Sequence, residues 1–165
     1  YFTPFFIRGS GANHGEYWLV HLSQHHRAQD VMKQVHWRYQ NHFVHYGGAG
    51  LNMLAPHTMG FMQEFDGGFR FDEGARQSSE FALVDQLGQY IFQGNKPKTI
   101  ATLFSETCNG SPASADMYKS VLQRLVESDK AVVFSDNGTR RRIARLMTDS
   151  DIVEPSRQVR LLPET

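Results

Sequence analysis

The sequence predicts an α+β chain: an N-terminal β-hairpin plus a long helix, followed by a C-terminal winged helix-turn-helix. Three observations predict it. Residues 1–8 and 16–23 are aromatic and β-branched runs on either side of a glycine-rich loop. Three helical patterns then succeed one another between residues 80 and 128. A short apolar run, Asp136-Asn137-Gly138 and a basic return strand complete a two-stranded ribbon, and helices followed by a ribbon are the winged-helix order.

The hairpin comes first. Residues 9–15 supply its loop with three glycines and an asparagine. A hairpin alone is marginal in water, so its sheet neighbours are expected from outside this sequence or from another subunit. A helix over residues 27–46 follows. Ser23 is the expected N-cap, and Ala28, Val31, Met32, Val35 and Tyr39 fall at helical spacing as the expected buried stripe. Gly47-Gly48 is expected to end it. Residues 49–79 have poor periodicity, with a short helix expected near 57–65 and a domain boundary near 73–79. The expected domains are 1–75, the hairpin and helix, and 76–165, the winged helix.

In the second domain, residues 80–93 carry Phe81, Val84, Leu87 and Ile91 on one face. Residues 98–108 carry Ile100, Leu103, Phe104 and Cys108. Ser111 is the expected N-cap of a third helix reaching about residue 128, with Pro112 at its first position and Met117, Val121, Leu122, Leu125 and Val126 facing inward. In the ribbon, Val132 and Phe134 are expected to face the core. Arg140 and Arg142 share one face of the return strand; Arg141 and Ile143 share the other. Residues 151–153 are expected to extend the sheet, and residues 157–165 to form a tail.

Composition narrows the function classes. The 165 residues carry 17 Lys+Arg and 17 Asp+Glu, so the chain as a whole is no polyanion sponge. Residues 96–145 nonetheless hold nine Lys/Arg against five acids, with Arg140, Arg141, Arg142 and Arg145 inside six residues. The single cysteine, Cys108, excludes an intrachain disulfide or a Cys-based zinc site. No apolar run is long enough for a membrane span and no signal-peptide pattern is present, which gives a cytoplasmic expectation. The chain opens at Tyr1 inside an apolar run, as expected for a piece of a longer protein.

The candidate chemistries weigh unevenly. His21 and His25, or His42 and His45, have spacings that invite a metal, but no acidic or Cys third ligand stands by, so structural or surface histidines are the reading and no metal is expected. Ser23 lacks a nucleophile elbow. Gly9-Ser10-Gly11 lacks the third glycine and the helix of a dinucleotide loop. Phe69 and Phe71 around Arg70 suit packing better than base stacking. A substrate pocket around Trp18, His21, His25 and Trp37 is the weakest reading. No acid, base and nucleophile converge, so no catalytic residue is expected.

The basic ribbon is the strongest site. Lys119, Arg140, Arg141, Arg142 and Arg145 are the expected contacts to the backbone of duplex DNA. Ser111, Ser114, Asp116, Lys119, Ser120 and Gln123 are the expected outward residues of the third helix; small and polar, with one cation, they favour grip over base reading. The alternative is a protein docking module whose arginines pair with Asp136, Asp149 and Asp151, or a homodimer formed through the hairpin edge.

Several motifs carry a family resemblance. Tyr17-Trp18-Leu19-Val20-His21-Leu22-Ser23, His25, Ala28, Val31-Met32-Lys33 and Trp37, then Gly67-Gly68-Phe69-Arg70-Phe71, Arg140-Arg141-Arg142 and Asp151-Ile152, in that order, resemble the C-terminal half of the three-Cys-motif partner proteins. The resemblance implies a methyltransferase-like Rossmann region ending at the first hairpin, with a winged helix after it. It implies a radical-SAM-like partner protein. It also implies that any S-adenosylmethionine site lies upstream, so this chain is expected to hold no cofactor. Gln24-His25-His26 and His36-Trp37 depart from the family pattern.

Overall fold

The computed structural model describes residues 1–8, 16–39, 44–45, 51, 69–94 and 96–156. The expected loop at 9–15, His42, Gly47-Gly48, the short helix near 57–65, Gly67-Gly68 and the tail at 157–165 lie outside them. The fold is α+β and divides into two compact units. One comprises residues 1–79 and 107–114, the other 80–106 and 115–165.

In the first unit, strands β1 (Phe2–Arg8) and β2 (Glu16–Leu22) pair antiparallel in full register from Phe2↔Leu22 to Arg8↔Glu16. The sheet neighbours expected from elsewhere come from this chain. β3 (Val44–His45) pairs with β1, and β4 (Phe69–Arg70) pairs with β3, giving the order β2-β1-β3-β4. Helix α1 spans His26–Tyr39, so the expectation of helix to residue 46 is overturned at Val44–His45, which are strand. The cap is also different. His25, not Ser23, sits at the helix start: its Nδ1 accepts from the Arg27 N–H at 3.1 Å, while the Ser23 hydroxyl donates to the His25 carbonyl.

The largest correction concerns the face of α1. Gln29, Lys33, His36 and Trp37 are buried, whereas Val31, Val35 and Tyr39 are exposed and Met32 is half-buried. Three of the inward groups donate to backbone carbonyls. The Lys33 ammonium donates to the Cys108 carbonyl, the Trp37 indole to the Pro112 carbonyl at 2.9 Å, and Gln29 to the Phe2 carbonyl. Trp37 and His36 pack against the ring of Phe71, at centroid distances of 4.8 and 5.3 Å. Burial lowers the Lys33 pKa to about 8 by removing water from the charged form.

In the second unit, the sheet order is β5-β8-β6-β7, all antiparallel. Helix α2 spans Glu73–Gly94, capped at its start by Asp72, whose carboxylate accepts from the Ala75 N–H at 2.8 Å. Leu83, Leu87 and Ile91 are its buried apolar residues; Phe81, expected inside, is 73% exposed. Gly88 allows a close approach to α4, since an added Cβ would stand 3.3 Å from Leu125 Cδ2. β5 (Lys98–Thr99) takes the first two residues expected to be helical, and α3 runs Ile100–Thr107 with Thr99 Oγ1 capping the Thr102 N–H.

A 3-10 turn (Cys108–Gly110) and an extended stretch to Ser114 precede α4 (Ala115–Glu127). The helix therefore starts three residues later than expected. Ser111 does not cap it and instead accepts from the Ala113 N–H; both Ser111 and Ser114 are buried, not outward. Met117, Val121, Leu122, Leu125 and Val126 face the core as expected. The helix stops in a Schellman arrangement: Lys130 N–H bonds the Leu125 carbonyl and Asp129 N–H the Val126 carbonyl, with Asp129 at φ 54°.

β6 (Ala131–Phe134) has the opposite parity to that expected. Ala131 and Val133 are buried; Val132 and Phe134 are half-exposed. β8 (Ile152–Pro155) is central between β5 and β6, and β7 (Arg140–Arg141) lies at the edge beside β6. Among the described residues, no helix is long and apolar enough to cross a membrane.

Candidate nucleic-acid interface

The segment between β6 and β8 is the wing. Its first turn follows the sequence closely. Ser135 and Thr139 close the loop through Ser135 N–H to the Thr139 carbonyl, and Gly138 N–H returns to the Ser135 carbonyl, both at 2.8 Å. Gly138 stands at φ 80°, where a Cβ would be strained, so glycine is the residue the turn requires. The Ser135 hydroxyl donates to the Asn137 side-chain oxygen and to the Thr139 carbonyl, and the Thr139 N–H donates to the same Asn137 oxygen.

β7 then sorts the arginines by face. Arg141 lies opposite the buried Val133 and Arg140 opposite Phe134, so the two point to different sides of the sheet. Arg141 Nε lies 3.4 Å from Asp151 Oδ2, and Asp151 is almost completely buried. The same carboxylate accepts from the Thr148 N–H and hydroxyl, both at 2.9 Å. Asp151 thus ties the return strand to the loop that closes the wing. Arg140 reaches Asp129 Oδ1 at 3.9 Å.

The rest of the wing lies along α4. A second 3-10 turn (Ala144–Leu146) presents the Ala144 N–H to the Gln123 side-chain oxygen at 2.8 Å, and Gln123 Nε2 donates to Glu127. Lys119 Nζ stands 3.6 Å from Asp149 Oδ1. Two of the polar residues that the pattern turned outward on α4, Lys119 and Gln123, are therefore engaged by the wing. Asp116 remains exposed and Ser120 half-buried, its hydroxyl donating to the Asp116 carbonyl.

The five candidate cations separate into two sets. Lys119, Arg140 and Arg141 each have a carboxylate partner. Arg142 and Arg145 are exposed, with no carboxylate within ion-pairing distance among the described residues. Three other basic residues of the unit are also matched. Arg124 pairs with Glu80 at 2.9 Å and Lys130 with Asp85 at 3.6 Å. Lys98 donates to Glu106 at 2.6 Å, a bond that raises the lysine pKa and lowers that of the carboxylate.

The tethers that shape the wing, Gln123 and Thr148, escaped the sequence pattern; only the pairing of Asp151 with an arginine was among the alternatives. No group of three or more His, Cys, Asp or Glu side chains able to hold a metal occurs among the described residues. His25 is exposed and caps α1, and Trp37 is committed to the Pro112 carbonyl, so these two members of the weakest pocket reading have structural duties.

No curated protein and no solved structure matches the chain. A family model described as the GMT-like wHTH domain matches residues 60–138, just under half of the sequence, from before α2 to the tip of the wing turn. The element order of the second unit and this match together make it a winged-helix region, similar to the GMT-like wHTH domain.

Proposed function

We propose that the winged-helix unit binds duplex DNA, gripping the phosphate backbone through its wing rather than reading bases with α4. The observation that carries the proposal is the pair of exposed arginines, Arg142 and Arg145, unmatched among the described residues, on a wing whose other cations are carboxylate-paired. Lys119 and Arg140 would join them by exchanging a carboxylate for a phosphate, while Arg141 serves mainly to hold the strand on Asp151. Gln123 and Lys119 are occupied by wing contacts, which supports weak sequence reading.

By the resemblance to three-Cys-motif partner proteins, this unit would serve a methyltransferase-like DNA-processing protein whose S-adenosylmethionine site and radical-SAM-like partner contacts lie on other residues. The test is fluorescence anisotropy of a labelled duplex across a salt series. Arg142→Ala and Arg145→Ala are each expected to lower the salt slope by about one unit, and Arg141→Ala to change it less. Unchanged affinity and slope in the Arg142→Ala/Arg145→Ala chain would sink the reading.

A second reading is favoured by a specific observation in the first unit. Val31, Val35 and Tyr39 of α1 are exposed, as are Val20 and Leu22 on β2, which is an edge strand. A docking or homodimerisation role would use these residues without nucleic acid. Light scattering that shows a monomer at every concentration tested would remove the homodimer.

A further inference from the structure

Ile143 and Leu146 are 46% and 47% exposed, in a wing whose other large aliphatic residue, Met147, is buried. Ile143 is the extended residue that leads into the 3-10 turn at Ala144–Leu146, and Leu146 is the turn's last residue, so both sit on one short segment. Arg142 and Arg145 alternate with them in the chain and are the two unmatched cations described above. An apolar pair interleaved with positive charges that have no carboxylate among the described residues complements a polyanion that also offers an apolar interior.

The turn is well held. Ala144 N–H bonds Gln123 of α4, Leu146 N–H bonds the Ile143 carbonyl and Met147 N–H the Ala144 carbonyl, each between 2.8 and 3.0 Å. Met147 anchors the following residue in the core at 3% exposure. On the other side, Arg141 and Asp151 fix the return strand. Two exposed apolar side chains on a turn fastened at both ends lose little freedom when they insert into something.

We propose that Ile143 and Leu146 form an apolar wedge that enters the minor groove of duplex DNA and partly unstacks one base step, while Arg142 and Arg145 hold the flanking phosphates. Apolar side chains inserted from the minor groove kink the duplex, and pyrimidine–purine steps such as TA yield to this most easily. The wedge rests on the duplex-binding reading and adds to it a deformation and a preference that phosphate contacts alone do not give. A GC-rich step at the same place resists unstacking, so the preference is indirect and needs no hydrogen bond to a base edge.

The test uses the whole chain and two duplexes of about 20 base pairs, one with a central TA step and one with a GC-rich centre, each carrying a fluorophore pair at its ends to report bending. Wild type is expected to shorten the end-to-end distance of the TA duplex and to prefer it. The Ile143→Ala/Leu146→Ala chain, altered only at exposed positions, is expected to lose the bend and to bind the TA duplex about tenfold more weakly, with the salt slope kept. Arg142→Ala/Arg145→Ala is expected to lower the slope by about two units and to keep the bend at low salt. A wild type that binds without bending, or a double alanine chain that bends DNA as wild type does, overturns the wedge and leaves duplex binding standing. A wild type that binds no duplex at low salt overturns both.

Discussion

Helices α1 and α4 are nearly equal in length, 14 and 13 residues, and they treat their apolar residues in opposite ways. On α4 the apolar stripe faces inward: Met117, Val121, Leu122 and Leu125 are at most 1% exposed. On α1 the corresponding stripe, Val31, Val35 and Tyr39, faces outward, and Gln29, Lys33 and His36 are enclosed instead. The second unit is thus held by apolar burial, while the first encloses polar groups that require partners of their own. The enclosed ammonium is met by a carbonyl, and its charged form is disfavoured by burial as its pKa falls to about 8.

The contrast can be broken by substitution. Leu122→Ala removes a fully buried side chain and is expected to lower unfolding free energy in urea by about 2–5 kcal/mol. A loss below about 1 kcal/mol would mean that the core around α4 is looser than its burial implies. Lys33→Met is expected to act in the opposite direction at neutral pH. The ammonium's pKa is about 8 when folded and near 10.5 when unfolded, so the unfolded chain binds more protons between those values. Stability from this group therefore rises as pH increases from about 8 to 10.5, and below pH 8 the charged amine imposes its full cost. That cost is on the order of 3 kcal/mol at most, offset in the comparison by the lost bond to the Cys108 carbonyl. Urea titrations at pH 7 and pH 10 should show Lys33→Met gaining at the lower pH and losing the upward slope. The smallest effect is expected at Val31, 58% exposed, where Val31→Gln should fall within about 0.5 kcal/mol. A cost approaching that of Leu122→Ala would turn the helix round and restore the apolar stripe to the interior.

Much of this architecture was legible locally. The β1–β2 hairpin announced itself through dense aromatics beside a glycine-rich loop. The wing turn did so through Asp136-Asn137-Gly138, because few residues accept the φ that Gly138 adopts. What was not legible depends on partners distant in the chain. Periodicity shows that α1 is amphipathic, but the side that turns inward is decided by the carbonyls of Cys108 and Pro112, each 75 positions from its α1 donor. In β6, Ala131-Val132-Val133-Phe134 is apolar throughout, so alternation offers no face to choose. The arginines illustrate the same limit at the site. Arg141 and Arg142 are adjacent and chemically identical, and only the pairing of β7 with β6, with β8 on the far side of β6, brings Asp151 to one of them.

The turn at the wing tip has a chemical consequence as well as a geometric one. In a flexible chain, an asparagine followed by glycine ages: the glycine nitrogen attacks the side-chain amide carbon, ammonia leaves, and hydrolysis of the ring delivers a carboxylate. Here the Gly138 N–H is bonded to the Ser135 carbonyl, and the Asn137 amide oxygen accepts from Ser135 and Thr139. The closed hairpin ties up the attacking nitrogen and fixes the direction of the side chain, although Asn137 is exposed to water. Each opening releases them, and the product places a new negative charge beside the arginines. Deamidation at Asn137 would therefore act as a slow clock, counting how often the wing comes undone and reducing its positive charge as it counts.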